Sequence, residues 1–175
     1  IVAVLGAGSW GTTLAVLLAG AGHEVRLWGR DPAALARIDA DRENRKFLSG
    51  IGLPDGVKVR AELEAALDGA AFTFFVVPTQ ALRGVAARAG AIGGASPLGT
   101  WVCAAKGLEL GTLERPSQVL AEVRGAGGDS ARIVVLTGPS HAEEVSRGIP
   151  TSVVAAGEGD AARDVQVLCA TQIGR

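Results

Sequence analysis

The 175-residue chain is predicted to fold as a doubly wound α/β domain, a mostly parallel sheet covered by helices on both faces. Three observations lead there. Short apolar runs alternate with helix-favouring segments from end to end, which is the order of repeated strand–helix–strand units. Two of these runs, Ile1-Val2-Ala3-Val4-Leu5 and Ala71-Phe72-Thr73-Phe74-Phe75-Val76-Val77, are apolar almost throughout, as strands buried on both faces are. A glycine-rich turn follows the first run, where such a sheet makes a tight passage from strand to helix.

The opening organises the rest. After the strand Ile1–Leu5 come Gly6-Ala7-Gly8-Ser9-Trp10-Gly11 and an Ala/Leu-rich segment, Ser9–Ala19, suited to a helix packed on the sheet. The glycines have the G-x-G-x-x-G spacing of a dinucleotide-binding turn. Gly6 permits the turn, Gly8 lets backbone approach a pyrophosphate, and Gly11 lets helix and strand pack closely. The first N–H groups of the helix and its positive dipole end then face the phosphates.

Gly20-Ala21-Gly22-His23 reads as a turn, with a glycine available to end the helix, and Glu24–Trp28 alternates as a second strand. Asp31 is a good N-cap and Pro32 suits a first helical position, so a helix is expected over Ala33–Ala40. Asp41–Gly52 reads as a solvated loop with one anchoring aromatic at Phe47-Leu48. Val57–Val59 is a short strand and Glu62–Leu67 a short helix. Ala71–Val77 is the most apolar run and is expected as a central strand, stopped by Pro78; Thr79 can cap a helix over Gln80–Ala89. A Gly/Ala/Ser/Pro loop, Gly90–Gly99, leads to the strand Thr100–Ala104, which runs out into Ala105-Lys106-Gly107. A connection holding Gly111 precedes a helix over Pro116–Val123. Arg132–Leu136 is a strand ended by Thr137-Gly138-Pro139-Ser140. His141–Ser146 is expected as helix, Thr151–Ala155 as strand and Asp160–Cys169 as helix.

Composition narrows the partners. Hydrophobic residues make up 48% of the chain and the formal net charge is −1, which argues against a nucleic-acid footprint. No apolar run approaches the roughly 20 residues of a membrane span, and the opening residues do not read as a charged-then-apolar leader. Cys103 and Cys169 lie in apolar surroundings without a C-x-x-C, as reduced core thiols of a cytoplasmic protein do. The chain has no methionine and an unfinished-looking end, so it reads as a piece of a longer one. Basic residues are mostly arginine; only Lys46, Lys58 and Lys106 are lysines.

In such sheets ligands sit beyond the carboxyl ends of the strands. Arg30 falls nineteen residues after Gly11, where an NAD site usually places an acid for the ribose hydroxyl. Its planar cation suits a 2′-phosphate instead, the alternative being a surface arginine with Asp31 at the ribose. Lys106 can hold a substrate phosphate or polarise a carbonyl, or else be a solvated lysine. Gly138-Pro139-Ser140 is a second anion-friendly turn into a helix, or an ordinary turn with Ser140 as N-cap. His141 could be an acid, although spacing identifies no carboxylate partner for it; His23 reads as a turn residue. No metal set and no serine–histidine–acid arrangement can be read from the spacings. For an enzyme of this kind the natural class is hydride transfer with a bound cofactor.

Taken together, Gly6-Ala7-Gly8-Ser9-Trp10-Gly11-Thr12, Leu27-Trp28-Gly29-Arg30, Asn44-Arg45 with Phe47-Leu48, Val76-Val77-Pro78, Lys106-Gly107 and Gly138-Pro139-Ser140-His141-Ala142-Glu143-Glu144 resemble the bacterial NAD(P)-dependent glycerol-3-phosphate dehydrogenases. The resemblance implies that residues 1–175 are the Rossmann-type, NAD(P)-binding domain of a two-domain enzyme. It implies interconversion of dihydroxyacetone phosphate and sn-glycerol 3-phosphate, for phospholipid synthesis, with NADP(H) as cofactor and NAD(H) as the other candidate. Gly6, Gly8, Ser9, Trp10, Gly11, Arg30, Phe47, Lys106 and Ala142 would contact the cofactor; Lys106, Gly138 and Ser140 would contact the substrate. Trp10 gains a role by this, since an aromatic in the glycine turn is hard to explain as core packing. Members of the family continue into an all-helical domain that supplies the general-base lysine and a phosphate-gripping arginine. That domain is also the expected route to a homo-oligomer. The alternatives are a non-catalytic nucleotide-binding module and the cofactor domain of a related β-hydroxyacid dehydrogenase.

Overall fold

In the computed structural model the described residues are 1–93, 99–125 and 132–173. In chain order the elements are β1 (Val2–Leu5), α1 (Ser9–Gly20), β2 (Val25–Trp28), α2 (Pro32–Asp41), β3 (Val57–Arg60), α3 (Leu63–Leu67), β4 (Phe72–Phe75), α4 (Thr79–Gly93), β5 (Thr100–Cys103), α5 (Pro116–Arg124), β6 (Ile133–Thr137), α6 (Ala142–Val145), β7 (Val154–Gly157) and α7 (Ala161–Ile173). Each expected strand and helix is present, with ends displaced by a few residues.

The strands form one sheet in the order β3-β2-β1-β4-β5-β6-β7. Strands β1 to β6 run parallel, and the order reverses between β1 and β4. That reversal opens a crevice at the carboxyl ends of the strands. Period-two alternation sends Val2 and Val4 into one core and Ala3 and Leu5 into the other. The first core joins β1 to Leu14 and Leu18 of α1 and Val165 and Leu168 of α7. The second joins it to Leu63 of α3, Leu82 and Ala86 of α4, and Val119 and Leu120 of α5. Both faces of β1 are therefore covered, which is why its sequence lacks polar alternation. On the second face Phe75 and Trp101 meet edge to face, with ring centroids 4.9 Å apart.

Strand β7 departs from the expected span. Pairing runs from Val154 to Gly157, antiparallel to β6, with Thr137 opposite Val154. The chain leaves β6 and comes back from the same edge of the sheet, with only the four-residue α6 between. A parallel return would need a crossover to the opposite edge. The segment Thr151-Ser152-Val153, expected as the start of the strand, is thus the approach to β7, and at Gly138 an added Cβ would overlap the Ser152 carbonyl oxygen.

Other corrections are local. Helix α4 continues to Gly93, so the start of the expected Gly90–Gly99 loop is helical, and residues 94–98 of that loop lie outside the described ones. Leu48, 3% exposed, anchors the loop after α2, whereas Phe47 is 47% exposed. Asp31 does cap α2, its carboxylate accepting from Ala34 N–H at 3.1 Å. Cys103 and Cys169 are free and buried; burial pushes both thiols up, Cys169 to about 11. Among the described residues no helix is long and apolar enough to cross a membrane.

Candidate functional site

The register places several strand ends on one edge. Leu5 stands opposite Trp28 and Phe75, and Phe75 opposite Cys103. The segments that leave these strands, Gly6–Gly11, Gly29-Arg30, Val76–Pro78 and Ala104–Lys106, therefore share the edge where the strand order reverses.

The glycine turn is shaped by backbone contact. Gly6 N–H donates to Trp28 O, and Val76 N–H donates to Leu5 O, each at 2.8 Å. A Cβ at Gly6 would overlap the Val76 carbonyl, and a Cβ at Gly11 would overlap the Gly6 carbonyl oxygen. Around Gly8 the situation is reversed: an added Cβ would meet nothing within 4 Å. Gly8 is the N-cap of α1 and has no side chain to offer; the first turn holds no acidic residue. Thr12 N–H bonds Gly8 O at 2.9 Å, so the N–H groups of Ser9, Trp10 and Gly11 precede the first intrahelical bond. An open bay beside three such donors fits a pyrophosphate. Trp10 is only partly what was expected: it is half-buried and packs on the core next to α1, so packing does account for some of its surface.

Buried polar groups brace the turn. Asn44, 1% exposed, donates to Ala7 O at 3.0 Å and to Thr12 Oγ1 at 2.7 Å, tying the loop after α2 to the turn. Thr13 Oγ1 donates to Ala142 O at 3.2 Å, joining α1 to α6. Sequence reasoning assigned no role to these groups. Asn44 stood out only as part of the family resemblance and Thr13 only as a polar residue amid apolar neighbours, and their partners lie 32 to 129 residues away.

Arg30 is exposed just past β2, and Phe47 is exposed on the loop that Asn44 anchors. On the opposite side of the crevice Lys106 is exposed, and its Nζ donates to Gly138 O at 3.1 Å. The structure thus brings two of the expected substrate residues into contact. Ser140 is half-buried and does not cap α6, because the N-cap position falls on His141. His141 is exposed, and among the described residues no carboxylate is hydrogen bonded to it.

The loop between β5 and α5 carries a dense ion network. Arg83 of α4 bonds Glu109 at 2.8 Å, Glu114 at 2.9 Å and Glu122 at 2.8 Å, while Thr112 Oγ1 donates to Glu109 at 2.7 Å. The Arg83 guanidinium, with help from Thr112, holds the Glu109 carboxyl down to about 2. Arg83 also lowers Glu122, and both glutamates raise Arg83 in turn. Leu108, Leu110 and Leu113 on this loop are exposed.

Residues 1–163 match the family model described as the NAD-dependent glycerol-3-phosphate dehydrogenase N-terminus. The chain belongs to this family. It is 47% identical over 154 residues to the glycerol-3-phosphate dehydrogenase [NAD(P)+] of Pelodictyon phaeoclathratiforme, covering 88% of this chain and 45% of that protein. Against the enzyme of the same name from Prosthecochloris aestuarii it is 44% identical over 176 residues, covering all of this chain and 52% of the relative. The crystal structure of glycerol-3-phosphate dehydrogenase from Coxiella burnetii superposes with a TM-score of 0.86 at 30% identity, over 96% of this chain and 50% of the other. The chain spans about half the length of the curated relatives it matches.

Proposed function

We propose that this member of the glycerol-3-phosphate dehydrogenase family is the cofactor-binding half of a two-domain cytoplasmic enzyme that interconverts dihydroxyacetone phosphate and sn-glycerol 3-phosphate. The observation that carries this reading is the pairing, across one crevice, of the open bay at Gly8 with Lys106 held at Gly138. The bay and the first N–H groups of α1 take the pyrophosphate. Arg30 faces outward to meet a 2′-phosphate, and the engagement of Asp31 in capping α2 favours Arg30 over Asp31 for that contact. Phe47, Trp10 and Ala142 border the remainder of the cofactor. When bound, a reduced nicotinamide supplies a hydride. A lysine ammonium has three donors, and one of those on Lys106 goes to Gly138. The others hold the substrate's oxygen where negative charge grows, with Ser140 beside them.

The proton-transferring base, the phosphate-gripping arginine and any subunit interface lie in the second domain on this reading. Exposed Leu108, Leu110 and Leu113 leave apolar surface next to Lys106 that further polypeptide would cover. The 175-residue chain should then fold and bind NADPH without appreciable turnover. Losing general-base help costs about 10²–10⁴-fold, and open solvent at the site adds to that. The test is NADPH titration of this chain, followed by NADPH oxidation with dihydroxyacetone phosphate by the chain and by the two-domain enzyme. In the latter, Lys106→Ala should lower kcat and leave NADPH affinity within a few-fold. Turnover by the chain within about tenfold of the longer enzyme would place the base here, with His141 the first suspect.

A further inference from the structure

Beyond Cys103 the sheet has one more rung, Ala104 N–H to Phe75 O at 3.0 Å, and then the chain leaves β5 with Lys106 two residues further on. A long, exposed lysine at a loop start has no reason of its own to stay in one place, since its ammonium rides on a flexible four-carbon stem. Here the loop is fastened to a single helix. Thr79 Oγ1, on the first residue of α4, donates to Lys106 O at 2.6 Å. Gln80 of the same turn donates to Leu108 O at 3.0 Å and accepts from Leu110 N–H at 2.9 Å. One turn further, on the same helix face as Thr79, Arg83 grips Glu109 and Glu114.

Thr79 is the decisive member. It is 8% exposed, and its hydroxyl donates to Lys106 O, while among the described residues no N–H of the helix it was expected to cap is hydrogen bonded to it. Capping therefore does not account for a threonine here, and the bond to Lys106 does. With Thr79 fixing the Lys106 carbonyl and Gly138 taking the ammonium, that lysine is held at both ends. We propose that Thr79 is a positioning residue for Lys106, and that the first two turns of α4 preset the substrate side of the crevice before any substrate arrives. Its consequence for turnover rests on the role given to Lys106 above; the anchoring itself does not.

The chain offers a direct readout, because Lys46, Lys58 and Lys106 are its only lysines. Reductive methylation with ¹³C-formaldehyde gives one dimethylamine NMR signal for each of them, plus one for the amino terminus. Thr79→Val should move the Lys106 signal, leave those of Lys46 and Lys58 in place, and be reversed by Thr79→Ser, which restores a hydroxyl. If the valine variant does not fold, Thr79→Ala replaces it. An unmoved Lys106 signal in a folded variant lacking the hydroxyl overturns the proposal. In the two-domain enzyme the valine variant should lose about ten- to a hundredfold in kcat, the scale of a small misplacement of a reacting group. NADPH affinity should hold, and serine should recover the rate. A moved signal with an unchanged kcat would overturn the role assigned to Lys106 while leaving the Thr79 anchor standing.

Discussion

The two sides of the crevice are built by different means. On the β1–α1 side the shape comes from backbone lying on backbone: Gly6 against Val76, Gly11 against Gly6, and an open bay at Gly8. On the β5–α5 side it comes from side chains of one helix reaching across to a loop: Thr79 to Lys106, Gln80 to Leu108 and Leu110, Arg83 to Glu109 and Glu114. Where backbone lies on backbone, at Gly6 and Gly11, the site tolerates no added atom, whatever side chains surround it. A site made of side-chain contacts tolerates small changes of shape, yet fails when a partner is removed.

The most severe way to break the first side is Gly11→Ala. The new methyl would overlap the Gly6 carbonyl, with backbone on both sides of the clash. Relief requires moving α1 off β1, which should cost about 3 kcal/mol or more, seen as a large fall in Tm. Gly8→Ala is the matching control, since its methyl enters open space. Its Tm should stay near that of the parent while NADPH affinity drops by about tenfold or more, a loss of about 1.4 kcal/mol or greater. Equal destabilisation by the two substitutions would show that the bay is a packing feature.

Next in size is cofactor choice at Arg30. A charge-assisted contact to the 2′-phosphate is worth about 1.5–3 kcal/mol, or roughly ten- to a hundredfold in affinity. NADPH should bind more tightly than NADH by that margin, and Arg30→Asp should reverse the order. Calorimetric titration of both cofactors reads it directly; equal affinities in the parent would remove Arg30 from the site.

The smallest effect sharpens the second side. Glu109 has a folded value of about 2 against an ordinary 4.5. A depressed carboxylate stabilises the fold fully above its unfolded value, and that contribution is lost as pH falls from about 4.5 through 2. Arg83→Leu removes the main cause of the depression, so its Tm should already trail the parent at neutral pH, and the gap should narrow on acidification. Melting curves at a series of pH values decide; a gap independent of pH would mean that Arg83 acts through packing alone.

How much could be read in advance follows the same division. The glycine turn, the doubly covered β1 and the Asp31–Pro32 helix start were legible because each is a local event: a spacing, a run, a cap. Arg30 and Lys106 could be placed at strand ends by counting, and Lys106 proves to touch Gly138. Asn44 and Thr13 could not be placed, because their partners are remote in sequence and hydrogen bonds leave no periodicity. Thr79 was misread for a related reason: a threonine at a helix start looks like a cap until the neighbouring loop is seen to take its hydroxyl.

By itself the sequence determined the strand–helix order, the buried centre of the sheet and the glycine turn between β1 and α1. Each of these depends on residues within about one helical turn or one strand of one another, where steric and hydrophobic preferences act without help. Only the tertiary structure decided that β7 runs antiparallel, that Leu48 and not Phe47 anchors its loop, and that Lys106 is held from α4 and from Gly138. Those outcomes depend on which surfaces meet after the sheet has closed. A hydroxyl, an amide or an ammonium accepts any partner of the right chemistry that arrives within about 3 Å, so its choice is made by packing and not by its neighbours in the chain.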